Sequence, residues 1–104
     1  MPSTKSYLDF IQDQLSGLEG VSWKRMMGEY ILYYQGKVVG GIYDDRLLLK
    51  PTKSTMVMLP DAPSELPYEG AKPMLLVEDV EDRERLQRLV ESAGGDLPAP
   101  KKKR

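Results

Sequence analysis

Hydrophobic and polar positions repeat with two different periods along this chain. Over residues 4–16 the apolar side chains recur every three or four positions, which predicts an amphipathic helix capped by Ser3 or Thr4. From Val21 the period becomes two, which predicts strands over residues 21–27, 30–34, 37–43 and 46–50. Short turns are expected at Gly28-Glu29, Gln35-Gly36 and Asp44-Asp45. Connections this short predict an antiparallel meander.

The second half of the chain predicts one more strand between two helices. A short helix is expected over residues 52–59 with Thr52 as its cap, followed by an irregular proline-rich loop over 60–73 and a strand over 74–77. The last helix is expected to be capped by Asp79, with Asp82 at the capping-box position, and to end at Gly94-Gly95. The order α-β-β-β-β-α-β-α predicts a two-layer α+β domain with an antiparallel sheet of about five strands.

Composition narrows the class of protein. A chain of 104 residues predicts one domain, with residues 1–94 as the folded unit and residues 95–104 as a disordered basic tail. The sequence has no cysteine and no histidine, which excludes disulfides, thiolate chemistry and histidine-based catalysis or metal binding. No apolar run is long enough to span a bilayer, and no signal core is visible, so we expect a cytoplasmic protein.

Charge argues against direct, specific binding to nucleic acid. The net charge is −1, with four of the 15 basic residues in the last four positions, Lys101 to Arg104. Residues 1–100 therefore hold 11 basic and 16 acidic side chains and carry −5. A domain of this charge lacks the basic face that a nucleic-acid backbone requires.

An aromatic strand next to a basic pair is the candidate binding surface. Its residues are Lys24, Arg25, Tyr30, Tyr33 and Tyr34. Tyrosines on an uncovered sheet face can anchor a protein partner or stack on bases. They are also common in strands for packing reasons alone, and strand preference explains the enrichment more simply.

The acidic clusters at Asp44-Asp45 and over residues 78–82 have two interpretations. Such groups can serve a paired-acid hydrolase or a divalent metal, but turn formation and helix capping explain them more simply. We therefore predict no catalytic residue, no cofactor and no metal site, and expect that the protein is not an enzyme. Gly28 is expected to adopt a positive φ, and Gly40-Gly41 to mark a bulge or a close backbone approach to a helix.

Several motifs in order resemble a known family. They are Gln14-Leu15-Ser16-Gly17-Leu18, Arg25-Met26-Met27-Gly28, Tyr30-Ile31-Leu32-Tyr33 and the hairpin that runs from Asp44-Asp45 to Lys50. Together they resemble the N-terminal domain of TfoX (Sxy), a regulator of natural competence. Met26, Gly28, Asp44 and Asp45 are the structural motif positions that the resemblance implies.

The resemblance implies a single-domain relative that acts through a protein partner in transcription or competence, since full-length TfoX carries a second, C-terminal domain. Two alternatives stay open, the first because the predicted α+β architecture also resembles the secretion-chaperone fold. One is an adaptor with a secretion-chaperone-like fold, which a hydrophobic homodimer interface would favour. The other is a small-molecule-binding protein, which a cleft with converging polar groups would favour.

Overall fold

A computed structural model describes residues 3–98 of the protein. A six-stranded sheet has the order β1-β2-β3-β4-β6-β5, with every neighbouring pair antiparallel. Three helices complete an α+β domain, so the predicted fold class is confirmed. The elements are α1 Lys5–Gln14, β1 Val21–Met26, β2 Glu29–Tyr34, β3 Lys37–Tyr43, β4 Arg46–Leu49, α2 Lys53–Met58, β5 Ser64–Glu65, β6 Met74–Val77 and α3 Arg83–Asp96.

The first four strands form the predicted meander because each turn uses two residues with positive φ. These pairs are Met27-Gly28, Gln35-Gly36 and Asp44-Asp45, with φ between 52° and 84°. Two successive residues of this kind form the tight turn whose twist matches paired strands. The first turn lies one residue earlier than predicted, since Glu29 already begins β2. Gly28 has the expected positive φ.

The helices cover one face of the sheet, which we call the helix face. α3 packs on β2 and β3, while α1 and α2 pack against α3. The core contains Leu32, Val39, Ile42, Leu47 and Leu49 from the strands, and all five are fully buried. The core also includes Ile11 and Leu15 from the N-terminal segment, Tyr34 and Val77 from the strands, and Leu86, Leu89, Val90 and Ala93 from α3. Strand alternation leaves the opposite side, which we call the open face, without a helix.

Both N-terminal caps of the shorter helices were predictable. Thr4 caps α1 by accepting from the backbone N–H of Tyr7, and Thr52 forms a reciprocal capping box with the buried Thr55. α1 ends at Gln14, two residues earlier than predicted. At that end the helix is held by α3, since the amide of Gln87 donates to the carbonyl of Gln14 at 2.9 Å.

The last helix differs from the prediction at both ends. Its cap is Asp82, which accepts from the backbone N–H of Arg85, and not Asp79. It continues through Gly94 and Gly95 to Asp96. Contacts distant in sequence stabilise this end: the ammonium of Lys37 donates to the carbonyl of Gly94 at 2.6 Å. A lysine at this position satisfies carbonyls that a helix end leaves unpaired.

Three further features were not fully predicted. β5, Ser64–Glu65, lies inside the segment expected to be irregular. The bulge expected near Gly40-Gly41 occurs where the β2–β3 register shifts between Leu32 and Tyr33, but the glycines lie close to neighbouring strands and not to a helix. Of the predicted tail, residues 99–104 lie outside the described residues, whereas Leu97 packs against the core. No helix within residues 3–98 is long and apolar enough to cross a membrane.

Candidate functional site

The aromatic strand β2 divides its tyrosines between the two faces of the sheet. Tyr34 is 7% exposed and belongs to the core, where its ring lies against Gly94. Tyr30 is on the same helix face and half-buried against that core. Tyr33 is on the open face and half-buried. Of the three candidate tyrosines, Tyr33 therefore lies on the face that no helix covers.

Lys24 and Arg25 lie on β1, the edge strand, and both side chains are exposed. The register pairs Lys24 with Ile31 and Arg25 with Tyr30, so Lys24 is on the open face and Arg25 is on the helix face. The two cations are thus side by side along the edge but point to opposite sides of the sheet. The structure brings Lys24 and Tyr33 to one face and separates them from Tyr34.

Two methionines, Met26 and Met27, lie at the tip of the β1–β2 hairpin. The sequence analysis predicted that both belong to the first strand and did not predict that they are exposed. Met27 is 95% exposed and has φ 54°, and Met26 beside it is 45% exposed. Met27 is the first residue of the turn, so its side chain projects beyond the sheet. We call Lys24, Arg25, Met26 and Met27 the hairpin surface. Assigning the turn one residue earlier would have identified Met27 from the sequence.

The proline-rich loop between β5 and β6 folds across the open face. The guanidinium of Arg46 on β4 forms an ion pair with Glu65 and donates to the carbonyl of Leu66 at 3.5 Å. The ring of Tyr68 lies 6.4 Å from the ring of Tyr43, measured between centroids. Pro67 is buried beneath these contacts. The loop is therefore held against β3 and β4.

Between this loop and the open face runs a groove of about 550 Å³. Its floor comes from the open-face side chains of β1, β2 and β3, and its wall comes from the loop. Among residues 3–98, no aspartate or glutamate lines it. The lining residues are Met26, Ile31, Val38, Gly40, Tyr43, Lys50, Pro51, Pro67, Tyr68, Ala71, Lys72, Pro73, Met74 and Leu97.

Tyr43 is the groove residue with perturbed acid–base behaviour. Burial raises the pKa of its phenol, and the neighbouring groups of Tyr68, Glu29 and Tyr33 raise it further. The phenol therefore stays protonated at neutral pH and can both donate and accept a hydrogen bond.

The carboxylates near the N-terminus are occupied by backbone and hydroxyl donors. Glu29 accepts from the N–H and the hydroxyl of Ser3, at 3.1 and 2.6 Å, and from the N–H of Asp44 at 3.2 Å. Asp45 accepts from the N–H of Thr4 at 2.8 Å. These bonds tie the start of α1 to two hairpins. Within residues 3–98, no three acidic side chains are grouped closely enough to hold a metal ion.

Comparison with known proteins gives the family. Residues 13–95 match the TfoX N-terminal domain. The chain belongs to the TfoX N-terminal domain family. It is also 40% identical, over 102 residues, to a protein of Spirochaeta aurantia named "Uncharacterized 12.7 kDa protein in trpE 5'region", covering 97% of this chain and 89% of that one. The family match confirms the resemblance seen in the sequence. The family is one of small regulatory domains related to competence.

The motifs of this TfoX N-terminal domain now have structural roles. Arg25 and Met26 end β1, and Met27-Gly28 forms the turn that exposes the hairpin surface. Asp44-Asp45 forms the β3–β4 turn, where Asp45 also binds Thr4. The matched region begins in the last turn of α1 and ends in the last turn of α3. It therefore includes the whole sheet and the loop that forms the groove.

Proposed function

We propose that this TfoX N-terminal domain is a cytoplasmic regulatory module that binds a protein partner through the hairpin surface, in a transcription- or competence-related role. The domain acts by recognition and has no catalytic step of its own. Lys24 and Arg25, two of the predicted partner-binding residues, belong to this surface, and Tyr33 shares the open face with Lys24.

The observation that carries the proposal is the exposure of Met27. An apolar side chain that is 95% exposed at a turn contributes nothing to the core. A single exposed apolar residue is normal, but here Met26 is 45% exposed and Tyr68, across the mouth of the groove, is 60% exposed. Methionine adapts its shape to many partners, so adjacent exposed methionines suit a protein interface.

The charge of the surface favours an acidic protein over nucleic acid. Lys24 and Arg25 are exposed beside the methionines and form no ion pair within residues 3–98. A partner with an apolar centre and acidic rim would complement both features. A nucleic-acid duplex would meet only two cations on a unit whose residues 1–100 carry −5.

The test is affinity capture from extracts of the native host with the parent chain and with Met27→Ser. A matched control is Met56→Ser, since Met56 is also exposed, at 53%, but lies on α2. We expect the parent and Met56→Ser to retain the same protein, and Met27→Ser to retain much less of it. Lys24→Glu/Arg25→Glu should also lose it, with purified partner binding falling roughly tenfold or more.

The proposal fails if Met27→Ser and Met56→Ser retain identical proteins in identical amounts. It also fails if Arg88→Glu, a charge reversal on α3, reduces capture of that protein as much as Lys24→Glu/Arg25→Glu does. Circular dichroism of each variant confirms that the fold is intact before capture.

A further inference from the structure

The groove on the open face and the hairpin surface both combine two cations with apolar side chains, but they lie at different places on the sheet. The groove has a floor and a wall, and its volume of about 550 Å³ lies in the range of small-molecule sites, roughly 300–1,000 Å³. The hairpin surface lies at the exposed tip of the β1–β2 hairpin. The two regions share only Met26 at the groove end.

The two lysines of the groove lie at the same end of the sheet. β4 pairs with β6 so that Leu49 faces Leu75, which places Lys50 beside Met74 at one end of the sheet. Lys72 precedes Met74 by two residues and also lines the groove. The opposite end of the strands contributes Met26, Ile31 and Tyr43. Two cations therefore lie at one end of a groove whose remaining lining is mostly apolar.

The lysines have no anionic partner within the described chain. Neither Lys50 nor Lys72 forms an ion pair among residues 3–98, and the lining contains no carboxylate. Lys50 is half-buried, so solvent and salt screen its charge less than that of an exposed lysine, whereas Lys72 is exposed and adds a second positive charge at the groove rim. The protonated phenol of Tyr43 adds one hydrogen-bonding group among the apolar side chains.

The wall of the groove is already in place without a ligand. Arg46 holds the loop by its ion pair with Glu65, and Tyr43 contacts Tyr68. A preformed site loses little conformational entropy on binding, which favours small ligands that offer few contacts.

From these observations we infer that the groove binds a small amphipathic anion, with its carboxylate at Lys50 and Lys72 and its apolar or aromatic body against Ile31, Tyr43 and Tyr68. This role is independent of the protein partner proposed above. It gives the domain a site for small carboxylic acids in addition to its surface for a protein partner.

The test is a methyl-resolved NMR titration of the full chain with octanoate and 2-naphthoate. Octanamide, 2-naphthamide and octylammonium serve as probes that lack the negative charge. We expect saturable shifts of Ile31, Val38 and Met74 with either carboxylate, weaker binding of the amides and none of octylammonium. The inference would be overturned if the carboxylates, the amides and octylammonium bound equally well, or if the shifts did not saturate.

Charge-removing variants keep the test specific. Lys50→Gln/Lys72→Gln retains most of each stem and should weaken carboxylate binding roughly tenfold or more while leaving amide binding unchanged. Lys53→Gln is the control, because Lys53 is exposed on α2 outside the groove. Equal loss in the control and the double variant would contradict the assignment, as would unchanged carboxylate binding in the double variant.

A second arm separates a small ligand from a peptide. If an extended peptide of alternating aspartate and valine gives the groove shifts and the two carboxylates do not, the site is macromolecular and the inference is wrong. The two proposals fail separately, since Lys50→Gln/Lys72→Gln should still capture the protein partner. Likewise, Met27→Ser should still bind octanoate.

Discussion

The adjacent glycines near the end of α3 should respond in opposite ways to the same added methyl group. A Cβ built on Gly94 would lie 2.4 Å from Cδ2 and 3.1 Å from Cε2 of the Tyr34 ring. Carbon atoms in contact sit about 3.5–4.0 Å apart, so the ring or the helix must move by roughly 1 Å. A Cβ on Gly95 would meet no atom of residues 3–98 within 4 Å, other than its chain neighbours and the backbone of its own helix. The chain thus supplies a matched control one residue away.

The magnitude follows from two opposing effects. Replacing glycine by alanine inside a helix gains up to about 1 kcal/mol, and less in a last turn such as this one. Forcing a methyl group into a packed core costs about 1–3 kcal/mol, and Tyr34 is a core residue at 7% exposure. We therefore expect Gly94→Ala to lower the free energy of unfolding by about 1–2 kcal/mol. Gly95→Ala should leave it unchanged or raise it by a few tenths of a kcal/mol, up to about 0.5.

The assay is urea unfolding followed by the fluorescence of Trp23, the single tryptophan. In a domain of about 100 residues the expected loss lowers the melting temperature by roughly 4–8 °C per kcal/mol. Tyr34→Leu removes the ring that the methyl would strike, so Gly94→Ala should cost about 1 kcal/mol less in that background. Equal stability of the two alanine variants, or an unchanged cost after Tyr34→Leu, would refute the close-packing argument.

Three further outcomes are expected. Gly28→Val should destabilise the fold by more than about 1 kcal/mol in urea unfolding, because φ at this position is 84° and a β-branched residue is strained there; unchanged stability would show that the turn does not require glycine. Hydrogen bonds from Ser54 lower the pKa of the Asp96 carboxyl below its ordinary 3.8. The stability that the ionised Asp96 contributes is therefore complete above pH 3.8 and disappears as the pH falls through the lowered pKa. Asp96→Asn should be less stable than the parent at pH 7, and the urea midpoints of the two proteins should converge in acid. Fluorescence anisotropy should detect weak, salt-sensitive binding to DNA duplexes that disappears when residues 101–104 are deleted, and tight sequence-selective binding by residues 1–100 would contradict this.

Features set by neighbouring residues were predictable from the sequence. The hairpins follow from alternation and from turn residues that accept positive φ, and the Thr52 cap of α2 follows from local capping chemistry. The end of α3 was not predictable, because Gly94-Gly95 reads locally as a stop. Its continuation depends on Lys37, which is 57 residues away in sequence and donates to the carbonyl of Gly94.

The candidate site was predictable only in part for the same reason. Alternation along β2 places Tyr33 on one face of the sheet and Tyr30 and Tyr34 on the other. The β2 side chains on either face are apolar enough to pack in a core, so the sequence did not decide which face the helices cover. The groove depends on a loop whose position is set by Arg46 with Glu65 and by Tyr43 with Tyr68. These are contacts between side chains brought together by the fold, and proline content alone predicts only that the loop is irregular.

Gly41 links the sheet to the groove. A Cβ there would lie 2.7 Å from Cε2 and 2.9 Å from the hydroxyl of Tyr43 and 2.6 Å from the carbonyl of Tyr30. The Tyr43 ring therefore occupies the space that a side chain at 41 would fill, and from there it contacts Tyr68. A glycine inside a strand costs roughly 0.5–1 kcal/mol relative to alanine. In return, the absence of a side chain at Gly41 lets the Tyr43 ring lie where it lines the groove and contacts Tyr68 in the wall. The shape of the groove therefore depends on a glycine within strand β3.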